Sequence, residues 1–241
     1  YMNLNELVNE PEILDKKIYR IFSFERFCQL LVSNQLTFVR PSLWDDPFED
    51  YFFSYKHKNE HGKITTFKEF SKNTYGQCWS LDAESDALWR IYSSDKLGVR
   101  VSTTVRKVLS CIYNNLGLDE RNSLNYNLLA KSVEYKPLEK IKSEIIDSEY
   151  HPFDCFRRNK LLFTKRDVFS HESEFRFIFN DYFNRSDCDV INFSCNINSL
   201  IDEVCLDPRV DDAVYNVLKL TFSNKLSDIP INKSDLYNFN V

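Results

Sequence analysis

At 241 residues, 43% of them hydrophobic and 15% aromatic, the chain can bury a substantial core without relying on disulfides. A formal net charge of -5, with acidic and basic residues interspersed, argues against a domain devoted to non-specific nucleic-acid binding, which is usually basic. Only four glycines occur (Gly62, Gly76, Gly98 and Gly117), so no GxGxxG or GxxxxGK loop can be assembled, which excludes phosphate cradles of the Rossmann and P-loop kinds.

In chain order, Lys17-Ile18-Tyr19-Arg20-Ile21-Phe22 predicts a strand that is apolar on both faces and therefore central. Ser23 is placed to cap a helix whose stripe is Phe24, Phe27, Leu30 and Leu31, and Asn34 stops it. Leu36 to Arg40 predicts a second strand, ended by Pro41-Ser42. Trp44 to Glu49 reads as a turn, with Pro47 barring a regular helix, and Tyr51 to Glu69 as irregular. Gly76 to Leu81 is a short strand, Ser85 to Tyr92 a helix, and Gly98 to Thr103 a strand. Ser102 or Thr104 then caps a helix running to Leu116, with Gly117 as its stop. Ser132 to Tyr135 predicts a strand, with helices over Leu138 to Glu149 and Phe153 to Thr164. From His171 to Phe179, Phe175, Phe177 and Phe179 alternate with Glu174, Arg176 and Ile178, predicting a strand with one greasy and one charged face. Two more strands (Val190 to Cys195, Ile201 to Leu206), a helix (Asp211 to Leu220) and a final edge strand (Ile229 to Leu236) complete the pattern.

Strands and helices mix without regular alternation, so the expected class is α+β. No repeat or Pro/Gly/Ser-rich linker breaks the chain, and one domain over 1–241 is expected. No apolar run approaches the roughly 18 residues of a membrane span. Tyr1 to Glu12 lacks a basic-then-apolar pattern, and the seven cysteines form no CxxC pair. A cytoplasmic protein with reduced cysteines is therefore expected. Zinc at Cys188, Cys195 and Cys205 would need closer spacing than they have.

Several residues are candidates for chemistry. Arg20, on a strand with apolar neighbours, must meet a carboxylate, backbone carbonyls or an anionic ligand. Glu172 and Glu174 point the same way from one predicted strand, with Arg176 beside them. That face is either a solvated Arg-Glu ladder or a catalytic carboxylate held rigid by the aromatic strand. Asp45, Asp46 and Glu49 surround Pro47-Phe48, as a structural turn or, with later glutamates, as a hard-cation site of nuclease type. Asp46, Glu49 and Arg176 are candidates for substrate contact. Trp79-Ser80 and Trp89-Arg90 with Tyr92 are either core or a slot for a planar ring. His171 beside Glu172 is a general base or a structural histidine. No metal is assigned.

The order Ile18-Tyr19-Arg20, Arg40-Pro41-Ser42, Asp45-Asp46-Pro47-Phe48-Glu49, Cys78-Trp79-Ser80-Leu81, Ser85 to Tyr92, Lys165, His171 to Arg176, Asp207-Pro208 and Ser234-Asp235-Leu236 resembles a large uncharacterised bacterial and phage family. Its signature is Asn-Asp-Pro-Phe-Glu; here Asp45 stands where that family has Asn. A second resemblance is to the ADP-ribosyltransferase fold, nearest to bacterial toxins that modify nucleic acid. It implies a split mixed or antiparallel sheet flanked by helices, and NAD as substrate. Under it Arg20, or Tyr19 in its place, and Ser80, or Tyr92 in its place, bind NAD, with Trp89 as an aromatic wall and Glu174 as the catalytic carboxylate. It also implies a nucleic-acid or protein acceptor, no membrane role, and an antitoxin or defence-system partner. The alternatives carried beside it are a metal-dependent nuclease and a non-catalytic nucleotide-binding or interaction module.

Overall fold

Side-chain caps written into the sequence set most of the helix starts. In the computed structural model, which describes residues 4, 8, 11–54, 56–58, 64–66, 68–117, 121, 128–146, 160–181 and 188–238, strand β1 (Lys17–Phe22) ends at Ser23, whose hydroxyl accepts from Arg26 N at 3.3 Å and opens α1 (Phe24–Ser33). Asn34 closes α1 in the left-handed conformation, and β2 (Gln35–Val39) follows. A 3-10 turn (Pro41–Leu43) leads to α2 (Pro47–Ser54). The expectation that Pro47 bars a helix is thus corrected. At the first helical position the missing proline N–H has no partner to lose, and the Asp46 carboxylate accepts from Phe48 N at 3.1 Å.

The stretch expected to be irregular after Tyr51 instead continues α2 and contains β3 (His57–Lys58), paired antiparallel with β4 (Ile64–Thr65). Next come α3 (Lys68–Ser71), β5 (Thr74–Ser80), α4 (Asp86–Tyr92) with Ser85 as cap, β6 (Val99–Thr104), and α5 (Val105–Asn114) with Thr104 as cap. Helix α5 stops at Asn115, short of the predicted glycine stop. Strands β7 (Leu128–Ser132) and β8 (Glu134–Lys136) precede α6 (Leu138–Ile146). Much of the helix expected over Phe153 to Thr164 lies outside the described residues; Leu161–Phe163 form a 3-10 turn and β9 (Thr164–Arg166) begins at once. A further 3-10 segment (Asp167–Glu172) and left-handed Ser173 lead into β10 (Glu174–Asn180). The chain continues with β11 (Val190–Ser194), α7 (Ile197–Leu200), β12 (Glu203–Leu206), α8 (Asp212–Ser223) and β13 (Ile231–Lys233).

Two compact units divide the chain: Tyr1–Asn9 with Thr37–Cys78 and Gly117–Asn192, and Glu10–Leu36 with Trp79–Leu116 and Phe193–Val241. In the first, β10 pairs antiparallel with β7 from Phe175↔Ser132 to Phe179↔Leu128, and it also pairs with β5. With partners on both edges, all seven β10 residues are buried. Ile178 joins Phe53, Leu129, Leu162 and Phe163 in an apolar cluster against which Trp44 packs. Gly76 on β5 makes room for that indole, since a Cβ there would overlap the Trp44 ring. Strand β8 runs parallel to β9.

In the second unit, β1 is flanked by β6, antiparallel from Lys17↔Thr104 to Phe22↔Val99, and by β5 at Tyr19↔Ser80. It is central as predicted, although of its six residues only Ile18 is fully buried. Strand β12 pairs antiparallel with β6 and parallel with the edge strand β13. Phe27 of α1 is fully buried and meets Phe222 of α8 edge-on, ring centroids 4.9 Å apart. The architecture is α+β, with mixed but mainly antiparallel strands flanked by helices, in agreement with the sequence reading. Among the described residues no helix is long and apolar enough to cross a membrane.

Candidate active site

Glu49, Lys165, Glu172, Glu174 and Arg176 of the first unit converge on the start of β10. Ser173, at φ 47° and ψ 52°, turns the chain so that Glu174 becomes the first strand residue. Glu172 is therefore not on the strand, as expected, but closes the 3-10 segment before it. The two carboxylates still meet, because Lys165 of β9 reaches both: its Nζ donates to Glu172 Oε2 and to Glu174 Oε1, each at 2.6 Å. Arg176 Nε donates to Glu174 Oε2 at 2.5 Å, its Nη1 to the Leu162 carbonyl at 2.7 Å, and its Nη2 to Glu49 of α2. The guanidinium lies 4.7 Å from the centroid of the Trp44 ring. The backbone N–H of Glu174 donates to the Tyr135 hydroxyl at 2.8 Å, which pins the strand's first residue.

The solvated Arg-Glu ladder entertained for this face is corrected: Arg176 is 0% exposed, Glu174 6%, and Lys165 and Glu172 7% each. Both edges of β10 are paired and its residues buried, so the charges are compensated by one another and by local groups such as the Leu162 carbonyl.

Three carboxylates, Glu49, Glu172 and Glu174, share two cations. Burial pushes the Glu49 carboxyl up, against the pull of Arg176 and Lys165. Burial and a hydrogen bond with Glu174 push Glu172 up to about 8. Glu174 moves the other way. Burial opposes its ionisation, but the Arg176 charge, hydrogen bonds from Glu172 and Arg176, and the Lys165 charge hold its carboxyl well below the usual range. Burial disfavours the Lys165 ammonium, yet Glu174 and Glu49 outweigh this and raise it. Burial lifts the Tyr135 phenol to about 12. With three carboxylates for two cations, and with Glu49 and Glu172 both pushed toward the protonated form, the layer favours holding a proton.

A more open rim borders this layer within the same unit. Arg166 clasps Asp46 through Nε (3.3 Å) and Nη2 (3.0 Å), and its guanidinium sits 4.6 Å from the Phe48 ring centroid and 5.0 Å from that of Phe169. Lys165 Nζ is 4.7 Å from the Phe169 centroid, and Phe48 is 41% exposed. The Asp45-Asp46-Pro47-Phe48-Glu49 stretch thus serves as helix start and as ion-pair partner. As for the nuclease alternative, Asp46, Glu49 and Glu174 each already face a guanidinium or ammonium group. Among the described residues no group of three His, Cys, Asp or Glu is arranged to hold a metal.

The other predicted residues lie in the second unit. Tyr19 and Ser80 are partners across β1 and β5, and Arg100 lies 5.5 Å from the Tyr19 ring centroid. Ser80 Oγ accepts from Asp82 N at 3.1 Å. Arg20 is half-buried, 4.9 Å from the Phe22 ring centroid. Trp89, expected as an aromatic wall for NAD, is fully buried and its indole N–H donates to Glu84 at 2.6 Å, which gives it a core position. Tyr92 is exposed. The structure therefore joins Glu49, Glu174 and Arg176 in one unit and Tyr19 with Ser80 in the other. Sequence reasoning gave no role to Lys165, Tyr135, Arg166 or Arg100. Lys165 and Arg166 lie on a three-residue strand with no periodicity to mark them.

Residues 88–177 match the model of a family described as "Protein of unknown function (DUF2971)", a span that holds Lys165, Glu172, Glu174 and Arg176. Among curated proteins no relative matches the chain. Solved structures similar to it include Thermus sp. 2.9 DarT in complex with NAD+ (12% identity, 91% of this chain and 96% of that chain covered, TM-score 0.38). The same protein in complex with ADP-ribosylated ssDNA matches at 12% identity over 91% and 94%, TM-score 0.39. Its complex with carba-NAD+ matches at 13% identity over 91% and 96%, TM-score 0.38.

Proposed function

We propose that this chain is an ADP-ribosyltransferase-like enzyme that takes NAD as substrate, cleaves its nicotinamide–ribose bond and passes ADP-ribose to a macromolecular acceptor, nucleic acid or protein. The observation that carries this reading is the placement of Glu174: a carboxylate at the head of a fully buried strand, its two oxygens held by Lys165 and Arg176 and its backbone N–H by the Tyr135 hydroxyl. Cleavage of the glycosidic bond spreads positive charge over the ribose ring, as in glycoside hydrolysis. A preorganised carboxylate stabilises that charge without having to reorient during the reaction. Lys165 supports the same step by keeping Glu174 ionised. Ribose would approach from the rim, where Phe48 is exposed and Arg166, clasped by Asp46, is the nearest partly exposed cation. The NAD-binding roles that the ADP-ribosyltransferase resemblance implies for Arg20, or Tyr19 in its place, and for Ser80, or Tyr92 in its place, are open to test by nicotinamide release.

The test is incubation of the chain with nicotinamide-labelled NAD, with and without single-stranded DNA, RNA and lysate protein. Nicotinamide release is expected from the wild-type chain, and Glu174→Gln is expected to reduce it at least about a hundredfold. A wild-type chain that binds NAD without releasing nicotinamide is a non-catalytic module. One that does neither, or a folded Glu174→Gln protein with full turnover, equally ends the proposal.

A further inference from the structure

Helix α8 is apolar on the side that faces away from its own core. On the inner side Phe222 is buried against Phe24 and Phe27 of α1, and the Tyr215 hydroxyl donates to the Ile231 carbonyl of β13 at 3.4 Å. Helical periodicity sets Ala213, Val217 and Leu220, at spacings of four and three, on the opposite side, with Val214 beside them. Val214 is 39% exposed, Val217 63% and Leu220 70%, and Ala213 and Thr221 are exposed as well. A surface helix ordinarily turns charged residues to water on that side; a helix apolar on both sides is built to be covered on both. Alternating steps of four and three with valine and leucine form the seam of paired helices.

The charges beside the stripe identify the partner. Asp211 caps the helix and Asp212 opens it, whereas from Ala213 to Lys225 there is no acid and two lysines, Lys219 and Lys225. Asp212 pairs with Lys233 at 2.7 Å. Asp211 accepts from Ala213 N, and among the described residues neither it nor Lys225 has an ion-pair partner, although both are exposed. At 1.5 Å per residue, Asp211 lies about 9 Å before Val217 along the axis and Lys225 about 12 Å after it. Two copies of α8 laid antiparallel about a two-fold axis at Val217 therefore bring each Asp211 level with Lys225 of the other copy. The stripe then meets itself, Val217 on Val217 and Leu220 on Ala213. A parallel pairing would set acid on acid and lysine on lysine, and align the two helix dipoles.

We propose that the outward face of α8 is a self-association surface on which a second copy of this chain docks antiparallel to form a two-fold dimer. A helix of 12 residues is about 18 Å long, so it covers less than the roughly 800 Å² per partner of a standard interface. The dimer is accordingly weak and reversible, with Kd on the order of 10–100 µM. No residue of α8 enters the NAD reaction proposed for the chain, so the two readings stand or fall separately.

The experiment is sedimentation velocity of the full chain from about 1 to about 500 µM, with a concentration-dependent shift from monomer to dimer expected. Leu220→Asp, at an exposed position, should raise Kd at least about tenfold with unchanged circular dichroism. Lys225→Glu should raise it about threefold by facing Asp211, and adding Asp211→Asn, which keeps the cap, should restore part of the loss. Under a mild thiol oxidant Val217→Cys should give a disulfide-linked dimer beyond the wild-type level. Lys225→Cys, about 24 Å along the axis from its copy, should not. A chain that stays monomeric at every concentration overturns the proposal and gives the stripe to a different protein. A dimer that Leu220→Asp leaves intact overturns it too, as does Lys225→Cys linking as readily as Val217→Cys.

Discussion

The two units bury carboxylates in contrasting ways. In the second, Asp207 is wholly buried and saturated by local donors: Ser93 Oγ at 2.5 Å, Arg209 N at 2.7 Å, and the Arg209 side chain at 2.9 and 2.6 Å. Arg209 spends its remaining reach on the Trp89 and Ser93 carbonyls, and Gly98 N donates to the same Ser93 hydroxyl. Every partner is a donor, and Asp207, although opposed by burial, is held low by them. In the first unit the acceptors outnumber the cations, and a proton on Glu172 closes the balance. A saturated carboxylate fastens chain segments together. A carboxylate in an acceptor-rich layer is held ionised while a neighbour stays protonated, which is how sites with distinct acid and base forms are made.

The largest effect that would break this comparison is expected at Arg176. Arg176→Met leaves Glu49 and Glu174 buried without their shared cation and should cost about 3–5 kcal/mol of stability in urea unfolding. A near-neutral result would mean that the layer is held by packing alone. Asp207→Ala strips the acceptor from Ser93 and Arg209 and should cost about 2–3 kcal/mol, with no effect on nicotinamide release. Coupled loss of activity in the folded variant would contradict its purely structural assignment. Gly76→Ala forces a Cβ into the Trp44 ring and should cost about 1–3 kcal/mol, with a change in indole fluorescence as Trp44 leaves Arg176.

The smallest effect is a pH dependence. Glu172 is raised from 4.5 to about 8, so its contribution to stability is complete below pH 4.5 and is lost as the pH climbs through 8. Glu174 is lowered, so its contribution is present above the unfolded value and lost only on acidification. Wild-type melting temperature should therefore drift downward from pH 5 to pH 8. Glu172→Gln, a mimic of the protonated form, should flatten that drift; an unchanged slope would remove the proton from Glu172.

Much of this fold is legible in local sequence. Ser23, Ser85 and Thr104 each cap the helix they precede, and the Phe175, Phe177, Phe179 alternation marks β10. What local pattern conceals is how many strands flank an element. Glu174 and Arg176 read as one face of a half-exposed strand because alternation cannot reveal that β5 and β7 cover both edges. Pro47 misled for the opposite reason, since one residue serves as helix breaker or helix starter according to its position. The site was half visible: Glu49, Glu174 and Arg176 stood out by type, whereas Lys165 and Tyr135 reach it from elements whose identity depends on pairing between β8 and β9.

The parity of β10 has a consequence for how the chain can change. Three phenyl rings alternate with Glu174, Arg176 and Ile178, and neither set has water to retreat into. Deleting one residue between Ser170 and Ser173 would offset this strand against β7 by a single step and swap the two sets, driving aromatic rings among the acids and stranding ions in hydrocarbon. Length in that short turn is thus constrained as tightly as the identity of Glu174 itself, whereas point substitutions at exposed positions of the 3-10 segment, such as Val168 or His171, should be borne with ease.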